Sequence, residues 1–505
     1  MKLHKANKDL SYYIEFNAKN NPHKIFISTD SYKINFLELR QKIISIHYFL
    51  KKKGIKKKDR IVGYFSNSIE QIIAMLAVTT YGAIWIPLSS DREISYFNFI
   101  LKETKPKLIL IEEIFYKFFK KNNLKNTIIV KKKLINFEQN QCLKILPKNN
   151  LYKTCCIIFT SGTSGPPKGV MVSQRMLLLS AIGNAISSKY TKKDRYLLWE
   201  SLHHIAGIQL FVMGLIYPTK IYLISKFSRK SFWIIVKKFK ITILHYLGGL
   251  LEILLKNKKS KVEQSHSIKL AYGAGCRPLI YRAFKKRFKI PIREVYGMTE
   301  ASSFSTINKI NTQGIIGKPV PWLNIELLDK NKKIITKPLC IGEIAIKEKV
   351  KGALFNGYYG KKRINKNNFF LSGDLAKYNS KFELIYAGRA KDTIRVKGIN
   401  ISAWEIEGIV NSHKFVSESA ALAIPALVGE DDILVIISRK KNFRKSLFSY
   451  ANYYRTKFSK LSFPRYWAFI DQFPRTPTQR IDKKLIEIKK LQVMDYYKKK
   501  LLKLS

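Results

Sequence analysis

Between Ile61 and Leu110, short continuous apolar runs alternate with stretches whose apolar residues recur at helical spacing. The pattern predicts a strand from Ile61, a helix over Ile69–Thr80, a strand over Ala83–Pro87, a second helix, and a strand over Lys107–Ile111. Upstream, a strand is expected at Ile25–Ser28 and a helix over Asn35–Lys51. A second alternation predicts strands at Cys155–Phe159, Tyr196–Leu202, Lys220–Ser225, Ile241–Tyr246 and Ile268–Tyr272, with a helix from Met176 capped by Ser173. Beyond Ile315 the period shifts toward two, giving strands at Leu323–Leu328 and Glu343–Lys347 and a hairpin over AKYNSKFELIYAGR. About a hundred residues of mixed pattern follow Arg389. The periodicity from Phe115 to Asn150 is too weak to assign.

Strands alternating with helices imply an α/β fold of two doubly wound layers, joined by a small β-rich subdomain. In such sheets ligands bind beyond the carboxyl ends of the strands. Three strands here run into small or polar residues, in SLHHIAG, LGGLL and GAGCRP, which form one wall of a cleft.

At 505 residues the chain is too long for one core. Nearly half of it is apolar and 12% is aromatic, enough to bury sizeable cores, so general disorder is not expected. The longest apolar stretch, Ile72–Leu88, is interrupted by Thr79, Thr80, Gly82 and Pro87 and reads as helix, turn and strand, not as a membrane span. No apolar core of a secretory signal follows the charged start. The five cysteines show neither metal-ligand spacing nor an even disulfide framework, consistent with a cytoplasmic, reducing location. The net charge of +58 invites a nucleic-acid reading, but Lys and Arg are spread from end to end and not gathered in one segment. Specific nucleic-acid binding is not expected; the field helps anionic substrates arrive.

The segment Ile158–Val170, IFTSGTSGPPKGV, carries the densest chemistry. Glycines at 162, 165 and 169 allow close backbone approach to an anion, Thr160, Ser161, Thr163 and Ser164 add hydroxyl donors, and Lys168 adds a point charge. With a strand before it and a helix after it, the order is that of a phosphate-binding loop. It is not a Walker loop, because Pro167 and Gly169 stand where that pattern needs Gly and Ser or Thr. In EVYGMTEAS, Tyr296 has a face for a purine, Thr299 a donor for phosphate, and Glu300 an oxygen ligand for Mg²⁺, with Gly297 and Met298 between them. Asp374, in SGDLAKY, is suited to accept from ribose hydroxyls, and Arg389 to grip ribose or phosphate.

These strings, in this order and spacing, resemble the acyl-adenylate-forming superfamily over nearly the whole chain. That group includes acyl-CoA synthetases, adenylation domains of peptide synthetases, and luciferases. The resemblance implies a body over residues 1–388 and a small α+β lid over 389–505, with ATP, Mg²⁺ and CoA, or the phosphopantetheine of a carrier protein, as reactants. It further implies that Thr160, Ser161, Gly162, Thr163, Ser164, Gly165 and Lys168 bind phosphates, and that Gly273, Ala274, Gly275 and Tyr296 surround adenine. By the same resemblance Thr299 and Glu300 serve phosphate and metal, Asp374 and Arg389 serve ribose, Lys391 is the hinge on which the lid swings, and His204 is the substrate gate. Arg480, in TPTQR, stands where most members carry a lysine that bridges the acid and the α-phosphate. Arginine keeps the charge in a longer, planar form that is not equivalent. Two further departures are Gln174, where many members have histidine, and Asn400, where some have arginine. Lys483 and Lys484 are the other cations near the bridging position.

For the acid, Leu247, Gly248 and Gly249 offer small residues beside an acyl site. The absence of a carboxylate at the His204 position speaks against an α-amino acid. The strings NISAWEIE, GEDDI and TPTQR, with YLGGLL, look most like the carnitine and crotonobetaine CoA ligases. The expected activity is an acid–thiol ligase acting on a small carboxylic acid. Loading of an acyl carrier protein and a non-catalytic adenylate-binding homologue are the alternatives.

Overall fold

The computed structural model describes residues 3–89, 94–115, 127–130, 145–160, 167–247, 249–276, 278–361, 364–365, 368–396, 399–426, 431–440, 446–458, 462–476 and 480–502. A six-stranded sheet takes the order Thr127–Val130, Leu108–Glu112, Arg60–Phe65, Ile84–Ser89, Thr154–Thr160 and Lys168–Ser173. All its pairs are parallel except the last, which is a hairpin. A second sheet has six parallel neighbours at its centre, in the order Ile292–Tyr296, Leu270–Ala274, Ile243–Leu247, Arg195–Leu198, Lys220–Leu223 and Ile25–Ser28.

The helices between the sheets are buried almost all round. Eleven of the 13 residues of Ile69–Tyr81 are buried, as are 13 of the 14 in Gln174–Ser187 and 11 of the 12 in Ile205–Ile216. Burial on every side is what a helix sandwiched between two sheets requires, and it explains why these segments lack a polar face. Their starts are set locally. Asn35 accepts from the backbone N–H of Glu38, and Ser173 from that of Met176.

Four helix ends are closed without glycine. Lys105, Lys189, Lys240 and Lys289 follow the last turns of four helices with φ between 42° and 58°, in the left-handed region. Behind Lys189 and Lys240 the closing bonds Tyr190 N–H to Ala185 and Ile241 N–H to Val236 are both 3.0 Å.

Two features differ from the sequence reading. The phosphate loop does not lead directly into a helix. The strand Lys168–Ser173 intervenes: it pairs along its length with Thr154–Thr160 while Val170 and Val172 turn their side chains to the core. The strands flanking the loop therefore pair as a hairpin, Thr160 opposite Lys168, and the helix Gln174–Ser187 begins only after the return strand. The β-rich part is also not separate: Thr306–Ile307 and Ile315–Pro319 continue the second sheet into the antiparallel strands Leu384–Arg389, Phe370–Tyr378, Gly342–Glu348 and Leu323–Leu328.

After Arg389 a short helical turn, Ala390–Asp392, leads to the ribbon Thr393–Val396 and Ile399–Ser402. A five-stranded sheet follows, with Val416–Pro425, Asp431–Arg439 and Tyr466–Phe469 as its first three strands. These elements bury their own cores, one of them around Trp467. Among the described residues, no helix is long and apolar enough to cross a membrane.

Candidate active site

Four neighbouring parallel strands end together. Leu247 and Ala274 are in register, so the segments leaving Ile243–Leu247 and Leu270–Ala274 lie side by side, flanked by those after Leu198 and Tyr296. This single edge gathers His204, Leu247, Gly249, Gly273, Ala274, Gly275 and Tyr296. Gly273 is needed here, since a Cβ would stand 1.8 Å from the carbonyl oxygen of Tyr246. Gly297 is needed as well, since its Cβ would fall 1.7 Å from that of Ser303. Gly275 closes the turn with φ +83°. His204 precedes the helix Ile205–Ile216, its ring centroid 4.0 Å from that of His203. Gly248 and the loop residues Ser161, Gly162, Thr163, Ser164 and Gly165 lie outside the described residues.

Asp374 is the meeting point of the second half of the site. Tyr296 donates to its Oδ2 over 2.8 Å, Tyr386 donates to Oδ1 over 3.4 Å, and Nε of Arg389 lies 3.1 Å from Oδ1. The hairpin register that pairs Asp374 with Arg389 brings acid and base together. Burial together with the Asp374 charge raises the pKa of the Tyr296 and Tyr386 hydroxyls, so both stay protonated donors. Arg480 approaches the same group from the C-terminal elements, held on a short hairpin in which its N–H donates to Oγ1 of Thr476 over 3.1 Å. It keeps solvent-accessible surface while protein crowds around it, as a side chain in a cleft does. Burial and the like charge of Arg389 press its pKa down, while Tyr386 and Asp374 oppose them. Two guanidinium groups repelling each other beside a single carboxylate leave positive charge to spare for an anion.

The other cation, Lys168, begins the hairpin's return strand with its Nζ 5.2 Å from the ring centroid of Tyr358. Tyr358 donates to Oε1 of Glu300 over 2.9 Å. Burial raises the pKa of Glu300, against the hydrogen bond from Tyr358 and the charge of Lys168. Thr299 shares the short turn Thr299–Ala301, with Met298 preceding it. No group of three or more metal-binding side chains occurs among the described residues. A buried carboxylate within reach of the Lys168 charge suits Mg²⁺, which is held by one or two carboxylates and the substrate's own phosphates.

Other candidates resolve differently. Gln174 is structural: its Oε1 accepts from Leu10 N–H at 3.1 Å and its Nε2 donates to Thr79 O at 3.2 Å. Lys483 is engaged elsewhere, with Glu407 at 2.6 Å and with the carbonyl of Ala421 at 3.0 Å. Lys391 is exposed on the Ala390–Asp392 turn, where burial and the charges of Arg389 and Lys484 lower its pKa against Asp392. Sequence reasoning missed Tyr358, Tyr386 and Trp404, whose ring packs edge-on to Tyr386 at 5.9 Å. Only the fold brings these together. It also missed Glu200 and His245, a buried hydrogen-bonded pair.

The AMP-binding enzyme family matches residues 14–359, more than half of the chain. The chain belongs to that family. It is similar to 2-succinylbenzoate–CoA ligase of Bacillus cereus, 22% identical over 468 residues that cover 91% of this chain and 94% of that protein. Its fold matches ATP-bound MatB from Rhodopseudomonas palustris with a TM-score of 0.85 at 20% identity, over 95% of this chain and 98% of the other. It also matches o-succinylbenzoate CoA synthetase from Bacillus subtilis in complex with an acyl-adenylate intermediate, with a TM-score of 0.82 at 21% identity over 94% and 97% of the two chains. As an AMP-binding enzyme the chain has the expected α/β architecture. The narrower likeness to carnitine and crotonobetaine CoA ligases is not what these matches address.

Proposed function

We propose that the protein joins a small carboxylic acid to coenzyme A at the expense of ATP, in two steps. In the first, a carboxylate oxygen attacks the α-phosphorus, the bond to the bridging oxygen breaks, and pyrophosphate leaves with the electron pair. In the second, a thiolate attacks the acyl carbonyl and AMP departs. Both steps bring anions together, so the protein's work is to align donors and supply positive charge.

The observation that carries this reading is the approach of Arg480, from the last quarter of the chain, to Tyr386, Arg389 and Asp374. A cation there is suited to bridge the acid and the α-phosphate. In this reading Asp374 accepts from the ribose, Tyr296 and the Gly273–Gly275 loop flank adenine, and Thr299 and Lys168 serve the phosphates with the hairpin loop 160–165. Glu300 would hold Mg²⁺, which when bound offsets phosphate charge. We read residues 1–388 as the body and 389–505 as a lid turning at Lys391, supported by the separate cores after Arg389. His204, Leu247, Gly248 and Gly249 would line the acid site. ATP and CoA as reactants favour a cytoplasmic setting.

The test is acid-dependent pyrophosphate release from ATP and Mg²⁺ across a panel of carboxylic acids, with and without CoA. Release that rises with CoA supports the ligase. Release indifferent to CoA and stimulated by a phosphopantetheinylated carrier protein favours carrier loading. Nucleotide binding without release under any of these conditions marks a non-catalytic homologue.

A further inference from the structure

We propose that Glu200 and His245 form the polar end of the acyl site and select acids whose acyl chain carries a hydrogen-bond donor, a hydroxyl or an amino group. The inference rests on the ligase reading and deepens it.

The alternation of side chains along the strands locates the pair. In Arg195–Leu198, Tyr196 and Leu198 pack into the core shared with the helices Gln174–Ser187 and Ile205–Ile216, whereas Leu197 and Trp199 pack into the core behind the sheet. Two residues past the strand end, the same period returns Glu200 to the first face. In Ile243–Leu247, Leu244 and Tyr246 belong to the rear core and Ile243 to the front one, so His245 faces front as well. Tyr272, in register with His245, and Tyr296 share that front core. The pair therefore lies on the same side of the sheet as Tyr296. It sits just beneath the strand ends from which His204, Leu247 and Gly249 depart.

The chemistry is that of a buried acceptor held in place by its own donor. His245 Nδ1–H donates to Oε1 of Glu200, and the two side chains are 5% and 2% exposed. Oε2 of Glu200 is buried with no hydrogen-bond partner among the described residues. The frame around it is fixed. Asn67 donates to the Glu200 carbonyl at 2.9 Å and accepts from Leu202 N–H at 3.0 Å, while the Trp199 indole N–H donates to the His245 carbonyl at 2.8 Å. A buried acceptor in a rigid frame is unfavourable until a donor reaches it, and it discriminates against ligands that bring none. The missing carboxylate at the His204 position argued against an ammonium-bearing substrate; Glu200 supplies a carboxylate four residues earlier.

The experiment uses three acyl-sulfamoyl adenosines of equal chain length, one with a plain hydrocarbon chain, one with a hydroxyl and one with an amino group. Each is titrated calorimetrically into the full-length protein, Glu200→Gln and Glu200→Leu, with thermal unfolding of each variant as a control. The expected result is that at least one substituted analogue binds the wild type roughly tenfold or more tightly than the hydrocarbon one, and that Glu200→Leu narrows this gap to about twofold. An amino ligand is distinguished by a large loss in Glu200→Gln, a hydroxyl ligand by a small one. Equal or stronger binding of the hydrocarbon analogue to wild type overturns the proposal, as does a preference that survives Glu200→Leu. If Glu200→Leu does not fold, Glu200→Ala takes its place, and a preference for the substituted analogues that survives there overturns the proposal. Failure of every analogue to bind wild type is a separate outcome that overturns the ligase reading, and this inference with it.

Discussion

Tyr296 donates its hydroxyl to one oxygen of Asp374 over 2.8 Å, while Arg389 holds the other oxygen at 3.1 Å. The aspartate is thus clamped before any nucleotide arrives: Arg389 and Tyr386 occupy Oδ1, and Oδ2, with Tyr296 as its donor, keeps one lone pair for a ribose. Asp374→Ala removes the acceptor and leaves Arg389 without its counter-charge. The KM for ATP should rise roughly 10- to 100-fold, while Tyr296→Phe, which loses one neutral donor, should raise it by about 3- to 10-fold. Steady-state pyrophosphate release at varied ATP measures both.

Arg480 carries the first half-reaction in this reading. Arg480→Ala should lower acid-dependent pyrophosphate release by about 10²- to 10³-fold, and Arg480→Lys should retain activity within about tenfold, because the charge survives and the planar fork does not. Transfer from a supplied acyl-adenylate to CoA separates the two steps. An equal loss in both steps would remove Arg480 from the bridging role.

The phenol of Tyr358 fixes one oxygen of Glu300 at 2.9 Å. In Tyr358→Phe that carboxylate is less well ordered, and the Mg²⁺ concentration for half-maximal rate should rise by about 3- to 10-fold. Glu300→Gln should raise it further. A Mg²⁺ titration at saturating ATP reads the order.

Glu294 is buried beneath the Gly273–Gly275 turn and accepts from Cys276 N–H at 3.1 Å. Burial raises its pKa from 4.5 to about 7. A raised carboxyl pKa contributes stability that is complete below 4.5 and is lost as pH climbs through 7. By linkage the loss amounts to roughly 3 kcal/mol by pH 8. The wild-type Tm should therefore fall between pH 5 and pH 8 more steeply than that of Glu294→Gln. Parallel curves would assign the pH response to other groups.

Where a local rule decides a structure, the sequence was readable. Ser173 and Asn35 start their helices as polar caps must, and Gly82, at φ +95°, ends Ile69–Tyr81 ahead of the strand Ile84–Ser89. The strand Lys168–Ser173 was missed because the glycines and prolines before it advertise a loop, and its few residues alternate too briefly to show a period. Tyr358 and Glu300 are 58 residues apart, and Glu200 and His245 are 45 apart. No local pattern encodes such pairs; the strand order and the hairpin bridge beside Tyr358 create them. The motif residues could be nominated from the sequence alone because their side-chain types, not their packing, single them out.

The lysines that end four helices in the left-handed conformation have a further consequence. Replacing Lys105, Lys189, Lys240 and Lys289 by glycine relieves backbone strain of about 1–2 kcal/mol at each site, offset in part by the freer unfolded chain. Those same ammonium groups stand at the negative ends of helix dipoles, where positive charge is favoured by about 0.3–1 kcal/mol at low ionic strength. In a chain of net charge +58 they are among the better placed of its many cations. The gain from the four glycines should accordingly be modest in dilute buffer and emerge in full only when added salt has screened the dipoles.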